Sequence, residues 1–268
     1  MTTQQLDEPR TVGELIRFWR VRRHLSQLSL ALDAEMSTKH LSFVETGRAR
    51  PSRQLLLHLG RQLDLPIAEQ NRLLLTGGFA PVYPNQPYEA EAMRPMRDAL
   101  RQLLEAHMPN PALIVDGLWN LIDANPAASL LWDGVDPQLL VPPINLLRLA
   151  VHPQGIPSIS SMTAACNTPL IQRLKRRSRE DADEALAALV SEVESYLPDK
   201  PVTAEIHQPM VTIDLRTRLG DVRLFTVIAT LGAPLEVTAA SLAIETFLPA
   251  DEPSAARLRE LAAAPAGD

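Results

Sequence analysis

Residues 25–52 read LSQLSLALDAEMSTKHLSFVETGRARPS, and the order of apolar and polar positions in them decides the architecture of the N-terminal part of the chain. Ser37 is a residue type that caps helix starts. From it, Leu41 and Val44 fall three apart on one face, while Thr38, Lys39, Ser42 and Phe43 fall outward. Gly47 fits the stop of that short helix. Another helix begins after Ser26, with Leu28, Ala31 and Leu32 spaced to face a core. The stretch therefore reads as two short helices at a tight turn, followed by Arg48, Arg50 and Arg53.

Working outward, residues 11–14 (TVGE) form a capping box, in which Thr11 accepts from a first-turn amide and Glu14 reaches back. The helix after it, over 12–23, sets Leu15, Ile16 and Trp19 on one side and Arg17, Arg20 and Arg23 largely on another. Ser52 opens a helix to about Asp64, and Pro66 takes the first-turn position of one to about Leu75. Residues 1–76 thus form a compact all-α bundle. The run GGFAPVYPNQPYEAEAMRP, 77–95, is rich in Pro and Gly and reads as a linker. The second domain, 96–268, opens with a helix to about 107. Two short strands follow, in ALIVD and LWNLIDAN, then helical patterns in PAASLLW and NLLRLAV, and a helix pair over 161–196. Three β-rich runs close it: PMVTIDLRTRL, DVRLFTVIATL and TAASLAIETFL, with turns at LGD and LGAP. The economical reading is an α+β domain with an antiparallel sheet of about five strands and helices on one face.

The formal charge of −6 divides unevenly. Residues 1–80 hold 11 Lys and Arg against 8 Asp and Glu, and the remainder holds 15 against 24, giving +3 and −9. A basic head on an acidic body suits phosphate attraction at one end only. No run of about eighteen apolar residues is present, and the polar N-terminus MTTQQLDEPR lacks a signal-peptide pattern, so the reading is cytoplasmic with no membrane partner. Cys166 has no second cysteine to pair with and reads as a small half-buried residue.

A helix that enters the major groove needs short polar side chains near its N-terminus, a hydrophobic inner face and a bracing helix before it. Residues 37–44 meet these needs. Ser37, Thr38 and Ser42 can bond base edges or phosphates, Lys39 favours guanine or phosphate, and Phe43 can pack on a thymine methyl. Gln27 is placed for a phosphate contact, and Arg48, Arg50 and Arg53 would track the backbone. A plain helical hairpin with a solvated basic end fits the composition equally well.

What separates the two readings is a resemblance. Residues 25–52 resemble the helix-turn-helix of the Cro/C1 or XRE family: Gln27 begins the motif, Ala31 is the small crossing residue, Leu41 and Val44 are core positions, and Glu45 with Gly47 closes the third helix. Glu35 stands where the family usually has glycine, so a residue with a Cβ must take positive φ at a cost of about 1 kcal/mol. Farther on, GGFAPVYP, NPALIVDGLWNLIDANPAA, NLLRLAVHPQG and TLGAPLEVTAASLAIETFLPAD are similar to the MmyB-like transcriptional regulators. That resemblance implies a helix-turn-helix domain at 1–76 followed by a PAS-like α+β domain that binds a small apolar molecule of fatty-acid type.

The residues themselves permit a pocket without requiring one. Trp119, Leu121, Ile122, Leu130, Leu131 and Trp132 gather around one strand and helix, where they either line a cavity or fill a core. Arg148 and His152 are the polar candidates for holding a carboxylate. The run RLKRRSRE at 173–180 reads as a solvated helix end with local ion pairs.

No nucleophile elbow, phosphate loop or H-E-x-x-H occurs, and the six histidines are scattered singly. Asp116 and Asp123 are the best acid–base candidates, and Asp123 reads as a turn or cap residue. The expectation is a regulator, not an enzyme, with no catalytic residue, metal site or cofactor. Its partners would be a double-stranded DNA operator, a small apolar ligand and a second copy in a homodimer. The alternatives are a DNA-binding protein whose second domain serves only for dimerisation and, behind it, an enzyme of unknown reaction.

Overall fold

The computed structural model describes residues 11–160, 168–197, 212–217 and 220–263. Cys166, His207, the start of the helix pair at 161–167, the beginning of the PMVTIDLRTRL run and Leu219 of the LGD turn lie outside them. The described residues form two compact units, one running to Asn85 together with Pro234–Val237, the other made of Gln86–Ala233 and the chain from Thr238.

The first unit is all helical: α1 (Val12–Arg22), α2 (Gln27–Asp33), α3 (Thr38–Glu45), α4 (Arg53–Gln62) and α5 (Ile67–Thr76). Side-chain caps start four of them. Thr11 closes its capping box with Glu14, and Ser26, Ser37 and Ser52 each accept from the amide three residues on. Pro66 is the N-cap of α5, one position before the expected first turn. Leu15, Ile16, Trp19, Leu30, Leu41 and Val44 are fully buried. Gly13 lets α1 lie on α3, since a Cβ there would stand 2.5 Å from the Val44 carbonyl oxygen and 2.6 Å from that of Glu45.

The inward face of α2 departs from expectation. Leu30, Ala31 and Ala34 are buried, whereas Leu28 and Leu32 are 59% and 67% exposed. The helix carries four apolar residues between Leu28 and Leu32, so periodicity alone leaves two possible faces. The close approach at Ala31, with the Gln27 side chain tied to Glu45 on α3, selects the face. The turn after α2 places Glu35 at φ 49°, the positive φ that the resemblance implied for it.

Much of the Pro/Gly-rich stretch is anchored. Asn71 on α5 donates to the Tyr83 carbonyl and accepts from the amides of Val82 and Tyr83. Beyond Gln86, Arg97 donates to the carbonyls of Tyr88 and Ala90.

The second unit opens with α6 (Arg94–Ala106), β1 (Ala112–Val115) and β2 (Leu121–Ala124), and continues through a 3-10 helix at Pro126–Leu131. Helices α7 (Leu146–Val151), α8 (Ile156–Ile159), α9 (Thr168–Glu180) and α10 (Glu184–Glu194) precede β3 (Thr212–Thr217) and β4 (Gly220–Thr230). A short α11 (Val237–Ser241), β5 (Ala243–Pro249) and α12 (Glu252–Ala263) are the last of the described elements. The sheet is five-stranded, in order β2-β1-β5-β4-β3, with every pairing antiparallel. The last strand thus sits at its centre.

Strand alternation assigns the two faces. Leu113, Val115, Leu215, Val222, Leu224 and Phe247 join the large core with α7, α9, α10 and α12. Ala112, Ile114 and Ile244 face the other way, where Leu100 and Leu104 of α6 cover them. Helices therefore lie on both faces, not on one: a helix as amphipathic as α6 needs an apolar surface, and the outward residues of β1 and β5 supply it. No helix among the described residues is long and apolar enough to cross a membrane.

Candidate functional site

Two sites emerge, one in each unit. In the first, α3 presents its outward residues on a helix held from behind. Glu45, with its side chain 2% exposed, receives Arg20 Nε at 2.6 Å and Arg20 Nη2 at 3.0 Å from α1, and Gln27 Nε2 at 2.7 Å from α2. Arg20 also donates to the Leu25 carbonyl. One carboxylate thereby ties three helices, satisfying the pairing that a buried charge demands. The sequence pattern set Arg20 among outward arginines; it is buried. Arg23 donates to the carbonyls of Leu63 and Asp64 at the end of α4. The Gln27 side chain is spent inside the unit, which leaves its backbone amide at the start of α2.

Ser37 accepts from the His40 amide, and Lys39 Nζ lies 5.7 Å from the centroid of the Phe43 ring. The Phe43 carbonyl receives the amides of Arg48 and Ala49, fixing how the arginine-bearing loop leaves α3. Thr38, Ser42 and Phe43 are half-buried; Ser37, Lys39, Arg48, Arg50 and Arg53 are exposed. No carboxylate among the described residues lies within ion-pair reach of Lys39, Arg48, Arg50 or Arg53. Hydroxyls, a lysine and unneutralised arginines thus share α3, the loop after it and the first residue of α4, a set able to bond phosphates and base edges.

In the second unit a cavity of about 190 Å³ opens between the sheet and its helices. Leu113, Ile213, Thr226, Ile228, Glu245 and Phe247 form its sheet side. Trp119, Leu131, Trp132, Leu146, Leu149 and Leu170 contribute to the rest. Trp119, Leu131 and Trp132 are thus brought together as the sequence expectation grouped them. Trp119 takes φ 63° in the β1–β2 turn, where Asp116 accepts from the amides of Leu118 and Asn120. Asn145 donates to the Leu118 carbonyl, and the Leu146 amide to that of Trp119.

Five other candidates lie outside the wall, among them Leu130, which is buried in the large core. Ile122 packs beside the α6 core, and Leu121 is half-buried against the large core. Arg148 is occupied: its Nε and Nη2 hold Glu192 on α10 at 2.6 and 2.8 Å. That hydrogen bond raises the Arg148 pKa and lowers that of Glu192, and Tyr196, bonded to the same carboxylate, is raised by burial first. His152 stacks edge-on against Tyr196, with ring centroids 5.0 Å apart, and its Nδ1 accepts from the Gln154 amide.

The polar group in the wall is one the sequence reading passed over. Glu245 sits on central strand β5 opposite Leu113 of β1 and Ile228 of β4, facing the apolar core. It is 7% exposed, and among the described residues nothing donates to its carboxyl; burial pushes its pKa up from 4.5 to about 7. The available signal was its place in AIETF: at strand period two, Glu245 shares a face with Phe247.

The other charged groups that the sequence singled out in this unit are paired. Asp123 pairs with Arg101 at 3.1 Å. Lys175, Arg176 and Arg177 pair with Glu194, Glu180 and Asp181. Among the described residues no cluster of three His, Cys, Asp or Glu side chains could hold a metal ion.

A family model described as the MmyB-like transcription regulator ligand binding domain matches residues 96–261. Among solved structures the chain is similar to one described as an RNA-binding Light-Oxygen-Voltage receptor, at 14% identity and a TM-score of 0.28. That likeness covers 96% of this chain and 65% of the other, so the chain spans about 65% of that protein's length, and it fixes neither fold nor function. Comparison with curated proteins finds no match. The family match covers more than half of the chain, takes in the cavity and the whole sheet, and shows that this chain belongs to the MmyB-like transcription regulators, whose ligand binding domain it carries.

Proposed function

We propose that the chain is a ligand-responsive transcription factor, in which the helical unit reads a DNA operator and the second unit takes a small apolar molecule into the cavity beneath its sheet. The observation that carries the reading is the apolar cavity inside the family-matched domain, joined in one chain to a clamped helix with free basic groups. Thr38, Lys39, Ser42 and Phe43 would face the major groove, with Ser37 and the Gln27 amide near the backbone. Arg48, Arg50 and Arg53 would contact phosphates, orienting the head without reading sequence. Two copies would bind together, because one such helix reads about half a site. The ligand would act through its differential affinity for two arrangements of the heads.

Fatty acids are the ligand class suggested by the resemblance, and a cavity of about 190 Å³ favours short chains. Catalysis is not part of the reading, since Asp116 and Asp123 are engaged in a turn and an ion pair. Footprinting the gene's own upstream region tests the head. Mass spectrometry of an organic extract of the freshly purified protein tests the cavity. A protected short site and a stoichiometric apolar compound are expected; no protection at any salt concentration would end the DNA-binding reading.

A further inference from the structure

Glu245 is an odd residue for an apolar cavity. A carboxyl moved from water into such a place loses its hydration and ordinarily keeps only what the protein returns through donors or cations. Here the neighbours on its face of the sheet are Leu113, Ile228 and Phe247, and no described side chain donates to it. Glu245 is among the residues that line the cavity. Thr226, on the neighbouring strand and the same face, brings a hydroxyl to the same wall. Among the described residues Glu245 is the wall's one ionisable group; the others are Leu, Ile, Ala, Pro, Thr, Phe and Trp.

We infer that the cavity selects a compact apolar molecule carrying one hydrogen-bond donor, an amine or a hydroxyl, which it delivers to the Glu245 carboxyl. The inference rests on the reading of the cavity as a ligand site and departs from the fatty-acid class that the resemblance suggests. A donor head meets an acceptor in either protonation state of Glu245, and an ammonium head additionally neutralises the charge. A carboxylate head meets a second negative charge wherever Glu245 is ionised and is accepted only when the pair keeps one shared proton, because two adjacent carboxylates cannot both ionise cheaply in a dry site. Size limits the tail: about 190 Å³ is little more than the roughly 150 Å³ of an apolar cavity that takes benzene.

The test uses four probes of similar length on the extracted, full-length protein at about pH 8, above the value to which burial pushes Glu245: n-hexylamine, n-hexanol, hexanoate and pentyl methyl ether. Trp119 and Trp132, two of the chain's three tryptophans, line the cavity, so tryptophan emission reports occupancy. Hexylamine and hexanol should bind roughly tenfold or more tightly than hexanoate and the ether, the margin of a hydrogen bond to a charged group. Glu245→Gln should remove the advantage of the amine over the alcohol while leaving the ether unchanged. Hexanoate binding as well as hexylamine, or an amine preference that survives Glu245→Gln, would overturn the inference and leave the cavity standing as a ligand site. Emission unmoved by all four probes, the ether included, would overturn the ligand-binding reading and this inference with it. Should Glu245→Gln not fold, the wild type decides. Hexylamine affinity must then rise between about pH 5 and about pH 8 with ether affinity flat, and parallel profiles overturn the assignment.

Discussion

Glu45 and Glu245 are both buried carboxylates, and their surroundings give them opposite consequences. Glu45 receives Arg20 and Gln27, so removing it strands a guanidinium inside the helical unit. Glu45→Ala should cost that unit about 3–5 kcal/mol, read as a lower urea midpoint, and should abolish operator binding by loosening α3. Glu245 has no such partner. Its folded pKa of about 7 exceeds the ordinary 4.5, so its contribution to stability is fully present below pH 4.5 and is lost as pH rises through 7. The loss is about 3 kcal/mol. Glu192 and Asp251, whose pKa values are lowered, push the other way, so the measurement is the difference between wild type and Glu245→Gln across that range. The variant should be the more stable above pH 7, and identical pH profiles would mean that an unseen donor satisfies the carboxyl. On the outer face of α3, Lys39→Ala and Ser42→Ala should relax sequence preference, whereas Arg48→Ala should weaken all DNA sequences alike. Uniform losses from all three would mean that a different surface reads the bases.

At the scale of elements, the head depends on how closely α1 and α3 approach. The space a Cβ would need at Gly13 is held by main-chain oxygens of Val44 and Glu45, which cannot swing aside as a side-chain tip could. Gly13→Ala should therefore destabilise the unit by about 1–3 kcal/mol, despite the better helix propensity of alanine, and should reduce DNA affinity as α3 shifts. Thermal melts and a binding titration on the same preparation check both. Gly47, at φ 72° with open space around it, is needed for its backbone and not for room. In the second unit the arrival of β5 between β1 and β4 completes the cavity, since it supplies both Phe247 and Glu245 to one face.

At the scale of the molecule, the proposed DNA binding has a chain of net charge −6 meet a polyanion through the segment whose own net charge is positive, +3 over residues 1–80. The arginines of 173–180 are not a second such surface, because Arg176 and Arg177 already pair along α9. Substituting Arg176 and Arg177 should leave the salt dependence of DNA binding unchanged, whereas substituting Arg48 and Arg50 should reduce its slope by about one for each phosphate no longer neutralised. The proposed dimer predicts a mass of two chains by sedimentation at micromolar protein. A monomer with and without DNA would remove the second half-site from the reading.

The sequence by itself determined the elements that rest on local physics. Caps at Thr11, Ser26, Ser37 and Ser52 and the strand alternation of AIETF are each set within a few residues, and five helices followed by an antiparallel sheet could be read from such signals, whereas the positive φ of Glu35 was expected only from the resemblance. What only the tertiary structure decided lies where distant segments compete for one side chain. Leu28 and Leu32 turn outward because Ala31 and Gln27 meet α3, α6 crosses to the far face, and Arg148 is claimed by Glu192, 44 residues away. Glu245 becomes the polar centre of a cavity through pairing with strands whose position no local pattern encodes. Hydrogen bonding and capping act between neighbours in the chain, whereas burial and charge compensation act between neighbours in space, and the candidate ligand site is built from the second kind.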